Sequence, residues 1–299
     1  MKTTSNQNKM RIQITDRDLL VLRLLWKWKL VSTSSLALKF FPDATLQTAY
    51  RRILSLSGAG LITSIYIKPR WQECWSLTQK GYKYIRPHLP ELAVEGFKSE
   101  NPHHDHLVTA FHLGEWLIHQ PEYTQTYSEQ QLRRVPTDLW PDWIPQSDRH
   151  RPDGYSLYFK DEKKVVVAVE VELSVKTRQR YAEIVAFYDA QNSIQLVFWL
   201  VESHKALNRI KIAFEKFHVR EWSKHHFVLL SDFQTNGWSA AFVEGRFKGN
   251  SPWHFLSHLP HTRATLEAHK GVTLTFLNLA KKPVVSIPSK KSKTPQNTD

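Results

Sequence analysis

The stretch "RPDGYSLYFKDEKKVVVAVEVELSVKT", residues 151–177, decides the fold of this chain. Its apolar run at 165–169 predicts a buried strand, yet the same strand continues into Glu170 and Glu172. Side chains two positions apart on a strand share a face, so both carboxylates lie on one side of the predicted sheet. Burying carboxylates without partners is unfavourable. The pattern therefore indicates a function that needs acids at the end of a core strand.

A third acid, Asp153, begins the preceding predicted strand. If the two strands form a hairpin with its turn near Asp161 and Lys163, Asp153 and Glu170 lie side by side. Together with Glu172 they would repel one another unless a cation neutralises them, and Mg²⁺ or Mn²⁺ prefers such oxygen ligands. A metal held there could polarise a phosphodiester and activate a water molecule. The residues therefore predict a divalent metal site suited to nuclease chemistry.

Length and charge favour a two-domain protein that binds a polyanion. The chain has 299 residues, a formal net charge of +13 and 41% hydrophobic residues. Clustered Lys and Arg gain affinity by releasing counterions from phosphates, so nucleic acid is the expected partner. We find no long apolar run and no apolar stretch of a signal peptide near the start, so we expect a cytoplasmic protein without membrane insertion. The single cysteine, Cys74, has no cysteine partner for a disulfide or a zinc ribbon.

Residues 11–86 read as a winged helix-turn-helix domain. Thr15 and Asp18 resemble a capping box before an amphipathic helix, and two further helices, two short β-prone runs and a fourth helix follow. In such domains the third helix enters the major groove and the wing contacts the backbone. The expected DNA contacts are Gln47, Thr48, Tyr50, Arg51, Arg52, Lys68, Arg70 and Lys80. The alternative is that Arg51 and Arg52 form a solvated basic face on a helical bundle used for dimerisation.

The rest of the chain predicts a second, larger domain of the α/β (α+β) class. Residues 87–101 read as a linker, 102–280 as the domain, and 281–299 as a disordered basic tail. The predicted order of elements is α-β-β-β-α-β-α-β, which gives a mixed sheet flanked by helices. Its first strand is expected near 123–135, and a β-like segment is expected at 238–245.

The succession of "RPDG", an apolar strand, "EVE" and a helix resembles the PD-(D/E)XK, or restriction-endonuclease-like, nuclease core. The resemblance implies that Asp153 and Glu170 ligate the metal. The lysine expected two residues after the second acid is Glu172 in this chain. The general base therefore stays open between Glu172 and a cation from the following helix, either Lys176 or Arg180.

Across about residues 12–230 the chain also resembles the replication-relaxation family, which includes MobC-type relaxases of mobilisable plasmids. The order of "WSLTQKGYKYI", "HHDHLVTAFHL", "RPDG", "EVELSVKT" and "RYAEIVAFY" carries this resemblance. It implies a protein that nicks one strand of a plasmid origin, with double-stranded DNA as partner and single-stranded DNA and accessory mobilisation proteins as further candidates. His104 and Asp105 match the family's His-Asp stretch, and His104 is expected to orient a phosphate or a carboxylate.

The histidine cluster offers a rival mechanism, which the predicted geometry of the helix disfavours. A relaxase of another class holds a metal with paired histidines, but His104 and His106 stand two apart on a predicted helix and point in different directions. A zinc site from His103, His104 and His106 lacks a fourth ligand. No glycine-rich phosphate loop is present in the sequence, so nothing supports an ATP-driven function.

Several aromatic residues allow two interpretations. Tyr181 and Tyr188, seven residues apart on a predicted helix, are expected to pack in the core rather than act as nucleophiles. Trp140 and Trp143 could stack single-stranded bases or form a hydrophobic lid on the sheet. The second candidate function is non-enzymatic: a replication initiator or transcriptional repressor that binds DNA beside an inactive nuclease-like domain.

Overall fold

The protein is a mixed α/β chain with two separate sheets, as seen in a computed structural model. The structure describes residues 12–68, 72–120, 124–147, 149–160, 163–216 and 222–257. The helices are α1 Asp16–Trp28, α2 Thr33–Phe40, α3 Leu46–Gly58, α4 Gln79–Ile85, α5 Pro102–Leu113, α6 Trp116–His119, α7 Glu129–Arg134, α8 Arg178–Ala190, α9 His204–Lys216, α10 Leu230–Asn236 and α11 Pro252–Ser257. The strands are β1 Val31–Ser32, β2 Ile62–Ile67, β3 Gln72–Leu77, β4 Gln125–Ser128, β5 Gly154–Lys160, β6 Lys163–Glu172, β7 Leu196–Val201 and β8 His225–Leu229.

The first helix begins where the sequence predicts. The Thr15 side chain accepts a hydrogen bond from the Asp18 backbone, and the Asp18 carboxylate accepts one from the Thr15 backbone. This reciprocal pair confirms the capping box at the start of α1. The side chains of Ser32 and Thr45 cap α2 and α3 by accepting hydrogen bonds from the backbones of Ser35 and Thr48. The first sheet has the order β1-β3-β2 with antiparallel pairing, and Cys74 lies buried in β3.

The second sheet carries the acidic stretch and has the order β4-β5-β6-β7-β8. The strands β4, β5 and β6 pair antiparallel, whereas β6, β7 and β8 pair parallel. Helix α8 connects β6 to β7, helix α9 connects β7 to β8, and the two helices pack on each other. The succession of long elements agrees with the predicted mixed sheet flanked by helices.

Two predicted strands are wrong in extent. The strand expected near 123–135 stops at Ser128, because Ser128 caps α7 and forms a capping box with Gln131. The segment 238–245 contributes one isolated bridge, between Glu244 and Phe227, because a tight turn with positive φ at Gly245 follows directly. The predicted tail at 281–299 lies outside the described residues.

Side chains from the N-terminal helices reach the second sheet and its surroundings. The Lys27 ammonium donates to the Thr126 carbonyl at 2.7 Å, and the Lys39 ammonium donates to the Leu117 carbonyl at 2.6 Å. The segment between α4 and α5 also packs inward, since Phe97 is buried in the core cluster that both sheets share. None of the helices in the described part of the chain combines the length and apolar character that crossing a bilayer requires.

Candidate active site

The hairpin of β5 and β6 brings the predicted acids together. Gly154 pairs with Val169, and the Asp153 backbone donates to the Val169 carbonyl at 3.0 Å, so Asp153 lies beside Glu170 on the neighbouring strand. Glu170 and Glu172 are 4% and 1% exposed. We call Asp153, Glu170 and Glu172 the acidic cluster. The predicted hairpin is thus confirmed, and the acids lie where β6 ends.

Asp153 is held by its own hairpin and by helix α5. Its Oδ2 accepts from the Val171 backbone at 2.7 Å, and the His104 Nε2 lies 3.5 Å from the same oxygen and 3.0 Å from the Val171 carbonyl. Burial raises the pKa of Asp153, and the nearby Glu170 and Glu129 raise it further against the lowering effect of His104. Burial alone would lower the pKa of His104, but Asp153 and Asp105 raise it to about 10. His104 therefore lies beside a carboxylate as a cation at neutral pH.

Glu170 is bound by two residues that the sequence did not single out as site residues. The His150 Nε2 lies 2.5 Å from Glu170 Oε1, and the Tyr188 hydroxyl donates to the same oxygen. Burial alone would raise the pKa of Glu170, but His150, Lys176 and the Tyr188 hydrogen bond together lower it. His150 precedes "RPDG" by one residue, and Tyr188 was correctly expected to be buried. Their contact with Glu170 arises from the fold, so spacing along the chain could not reveal it.

Glu172 forms an ion pair with Lys176, one of the two cations proposed from the following helix. Burial and the neighbouring Glu170 and Asp153 raise the pKa of Glu172, although Lys176 lowers it. The Tyr181 hydroxyl accepts from the Lys176 backbone at 3.1 Å and so fixes the turn before α8. Arg180 instead bonds to Glu183 at the surface, at 3.0 Å. Lys176 therefore reaches the acidic cluster and Arg180 turns away from it.

A second layer of contacts links the acidic cluster to α1. The Lys29 ammonium lies 2.7 Å from Asp105 Oδ1 and 2.9 Å from Glu129 Oε2. Asp105 neighbours His104, and the Glu129 backbone donates to the Asp153 carbonyl at 3.1 Å. Lys29 adopts φ 62°, the single positive φ among described non-glycine residues. The turn that ends α1 therefore packs directly behind the residues that hold Asp153.

The chemistry of the donors fits a hard divalent cation at Asp153 and Glu170. Each of these carboxylates has one oxygen engaged by protein donors, Oδ2 of Asp153 and Oε1 of Glu170. Within the described ranges we find no hydrogen bond to the other oxygen of either acid, and the two acids interact electrostatically. No three His, Cys, Asp or Glu side chains of the described chain already surround a common metal position. The residues that could hold a metal are Asp153 and Glu170, through these other oxygens, because Glu172 is engaged by Lys176.

The predicted DNA contacts on α3 differ in how they are held. Gln47, Thr48 and Arg51 are exposed. Tyr50 is partly buried, with its ring 6.5 Å from that of Trp75. Arg52 is engaged inside the fold, because its Nε donates to Asp18 Oδ1 at 3.0 Å. Of the two arginines, Arg51 is the one that faces solvent.

The predicted contacts near the wing include one with a local structural partner. The Lys80 ammonium donates to the Ala59 carbonyl at 2.6 Å, which ties α4 to the end of α3. Lys68 is exposed and follows β2 directly. Arg70 lies outside the described residues. The exposed reader residues, Gln47, Thr48, Arg51 and Lys68, are named the reader surface below.

The remaining interpretations of the sequence are settled by burial. His104 faces Asp153, whereas His106 Nδ1 lies 3.7 Å from Cys74 Sγ in the first sheet, so the two histidines point apart as expected. Trp140 and Trp143 are 8% and 7% exposed, and their indole nitrogens donate inside the protein. Both indoles are therefore packed within the fold and are not presented to solvent for base stacking.

Comparison of the chain with protein-family models, with curated proteins and with solved structures finds no match.

Proposed function

We propose that the protein is a metal-dependent DNA endonuclease of the relaxase type, which nicks plasmid origin DNA for mobilisation or replication. The observation that carries the proposal is the cross-strand pairing of Asp153 with Glu170 at the end of a buried sheet. Two acids with free oxygens in such a place serve little structural purpose, because burying them is unfavourable. A cation that also binds a phosphodiester gives them a use.

Both sheets support the proposal through their arrangement. An antiparallel hairpin followed by two parallel strands and crossover helices is what the resemblance to the PD-(D/E)XK core implies. Three capped helices, with the short strand β1 between α1 and α2 and the hairpin of β2 and β3 after α3, suit a winged helix-turn-helix reader of double-stranded DNA. The formal charge of +13 favours a polyanionic partner for the whole chain.

Different residues of the chain would have different roles in cleavage. Mg²⁺ or Mn²⁺ bound to Asp153 and Glu170 would supply Lewis acidity and a more acidic water. Lys176 would stabilise negative charge that develops on the phosphate, since its ammonium already lies within the acidic cluster. Glu172, whose pKa burial raises, would accept a proton once Lys176 turns to the substrate. His104, as a cation beside Asp153, would orient a phosphate oxygen.

Exposed cations around the acidic cluster would bind the DNA backbone. Arg149 and Arg151 flank His150 in the loop before β5, and Arg178 begins α8. All three arginines are exposed, and each is close in sequence to a residue that contacts the acidic cluster. Their contacts with phosphates would position the strand without reading its sequence.

One observation favours a second candidate, a non-enzymatic replication initiator or transcriptional repressor. Each acid already has a protein partner: His104 for Asp153, His150 for Glu170 and Lys176 for Glu172. Such pairing gives each acid a polar partner without a metal. In this alternative the second domain only supports DNA binding.

A supercoiled plasmid that carries the cognate origin separates the two candidates. We expect Mn²⁺-dependent conversion to the open circle, stopped by chelation, and slowed about 10²- to 10³-fold in Asp153→Asn and Glu170→Gln. Glu183→Gln, a change of an exposed acid on α8, is the matched control and should nick like the wild type. Origin binding of normal affinity with no nicking in any divalent metal would instead support the regulator.

A further inference from the structure

The carboxylate of Glu170 is held at one oxygen only. His150 comes from the loop before β5, and Tyr188 comes from the last turn of α8, so they approach Glu170 from different elements. Both bond to Oε1, the imidazole at 2.5 Å and the hydroxyl as a donor. Within the described chain Oε2 has no hydrogen-bond partner. The two residues thus determine which oxygen of Glu170 remains available.

Packing fixes both partners in place. The His150 ring lies 5.3 Å from that of Phe187 and 5.7 Å from that of Tyr188, between ring centroids. The Tyr188 ring is fully buried and contacts His225 at 5.6 Å. Neither ring can rotate far without opening a cavity in this aromatic cluster. The hydrogen-bond donors of His150 and Tyr188 are therefore preorganised around Glu170.

We propose that His150 and Tyr188 are positioning residues, which hold Oε1 of Glu170 so that Oε2 stays open to a divalent cation shared with Asp153. This inference rests on the proposed metal-dependent function. Outer residues that orient a metal-binding carboxylate commonly change metal affinity when they are removed. Without them the carboxylate would rotate toward other donors, and Lys176 already interacts with it electrostatically.

Thermal unfolding of the full chain in a Mn²⁺ titration tests this inference without an activity assay. Tyr188→Phe removes the hydroxyl and keeps the ring, and His150→Gln removes the imidazole. We expect each variant to need about 10- to 100-fold more Mn²⁺ than the wild type for the same rise in melting temperature. Tyr158→Phe, at a buried tyrosine of β5 that packs on Trp116, should respond to Mn²⁺ like the wild type.

The outcomes separate the inference from the function on which it rests. If Tyr188→Phe and His150→Gln melt at lower temperature but respond to Mn²⁺ like the wild type, the two residues are structural and the inference is wrong. If the wild-type protein shows no response to Mn²⁺ or Mg²⁺, the proposed metal-dependent function fails as well. Reduced sensitivity to Mn²⁺ in both variants, with a normal response in Tyr158→Phe, supports the positioning role.

Discussion

The acidic cluster and the reader surface carry polar side chains under opposite conditions. In the acidic cluster, Glu170 and Glu172 are nearly inaccessible and every acid has a protein partner. On the reader surface, residues such as Gln47 and Arg51 are exposed on a helix whose buried face holds it in place. The position of a buried charge can be predicted from strand register. An exposed charge is not constrained in this way, so the sequence does not determine its binding partner.

Acid pH should produce the largest effect, and it should act through the buried interior. Burial lowers the pKa of His112 and His225 to about 3 and that of His106 and His226 to about 4. Below a pH of about 6.5 the unfolded chain therefore binds more protons at these histidines than the folded chain does. The contribution of each neutral histidine to the free energy of unfolding is full above that pH and is lost as the pH falls toward the pKa of the folded state. At pH 5 each should reduce the free energy of unfolding by about 2 kcal/mol.

The contribution of one histidine can be isolated by substitution. Chemical denaturation gives the free energy of unfolding of the wild type and of His112→Gln at each pH between 4.5 and 6. Plotted against pH, these free energies should have slopes that differ by about 1.4 kcal/mol per pH unit. His104 does not interfere, because its raised pKa gives a contribution that is full below a pH of about 6.5 and is lost as the pH rises through about 10. Equal slopes in the two proteins would mean that His112 is protonated in the folded state.

Two neighbouring arginines on α3 provide the next test. Arg52→Ala leaves the fully buried Asp18 without its ion pair and should lower the free energy of unfolding by about 1.5–3 kcal/mol. Arg51→Ala should change the free energy of unfolding by less than about 0.5 kcal/mol. The same variant should bind DNA more weakly, and the salt dependence of its binding should fall by the equivalent of about one phosphate contact. Chemical unfolding measures the stability of both variants, and fluorescence anisotropy at several salt concentrations measures their binding to DNA. The assignment breaks if Arg52→Ala weakens DNA binding and leaves stability unchanged.

A pair of glycines tests the packing behind Asp153. A Cβ added at Gly154 would lie 2.4 Å from His112 Nδ1, so Gly154→Ala should lower the free energy of unfolding by about 1–3 kcal/mol. Gly58, which ends α3, has nothing within 4 Å of an added Cβ, so Gly58→Ala should be neutral or stabilise the helix by up to about 1 kcal/mol. Similar melting temperatures for the two variants would show that the His112 ring moves easily to accommodate the added methyl group.

Strand register explains how much of the acidic cluster could be predicted. The alternation of "EVE" after an apolar run places Glu170 and Glu172 on one face, and the antiparallel register of β5 with β6 places Asp153 opposite Glu170. His150 and Tyr188 could not be found in this way, because they reach Glu170 from a loop and a helix that meet only in the folded chain. Arg52 illustrates the same limit, since its partner Asp18 is 34 positions away in another helix.

Local signals also explain which element boundaries could be predicted. Thr15 with Asp18 forms a cap that the sequence displays directly, and α1 begins there. The boundary at Ser128 was missed because β-prone residues around it outweighed a capping box of the same kind. Capping residues thus deserve more weight than strand propensity where the two conflict.

Equilibrium binding of Mn²⁺ to the purified protein, followed by the electron paramagnetic resonance signal of the free ion, measures whether Asp153 and Glu170 share a cation. We expect a saturable site in the wild-type chain that is lost in Asp153→Asn and in Glu170→Gln and is kept in Glu183→Gln. A wild-type chain that leaves the free Mn²⁺ signal unchanged, or an Asp153→Asn variant that binds as tightly as the wild type, would contradict a cation shared by these two acids.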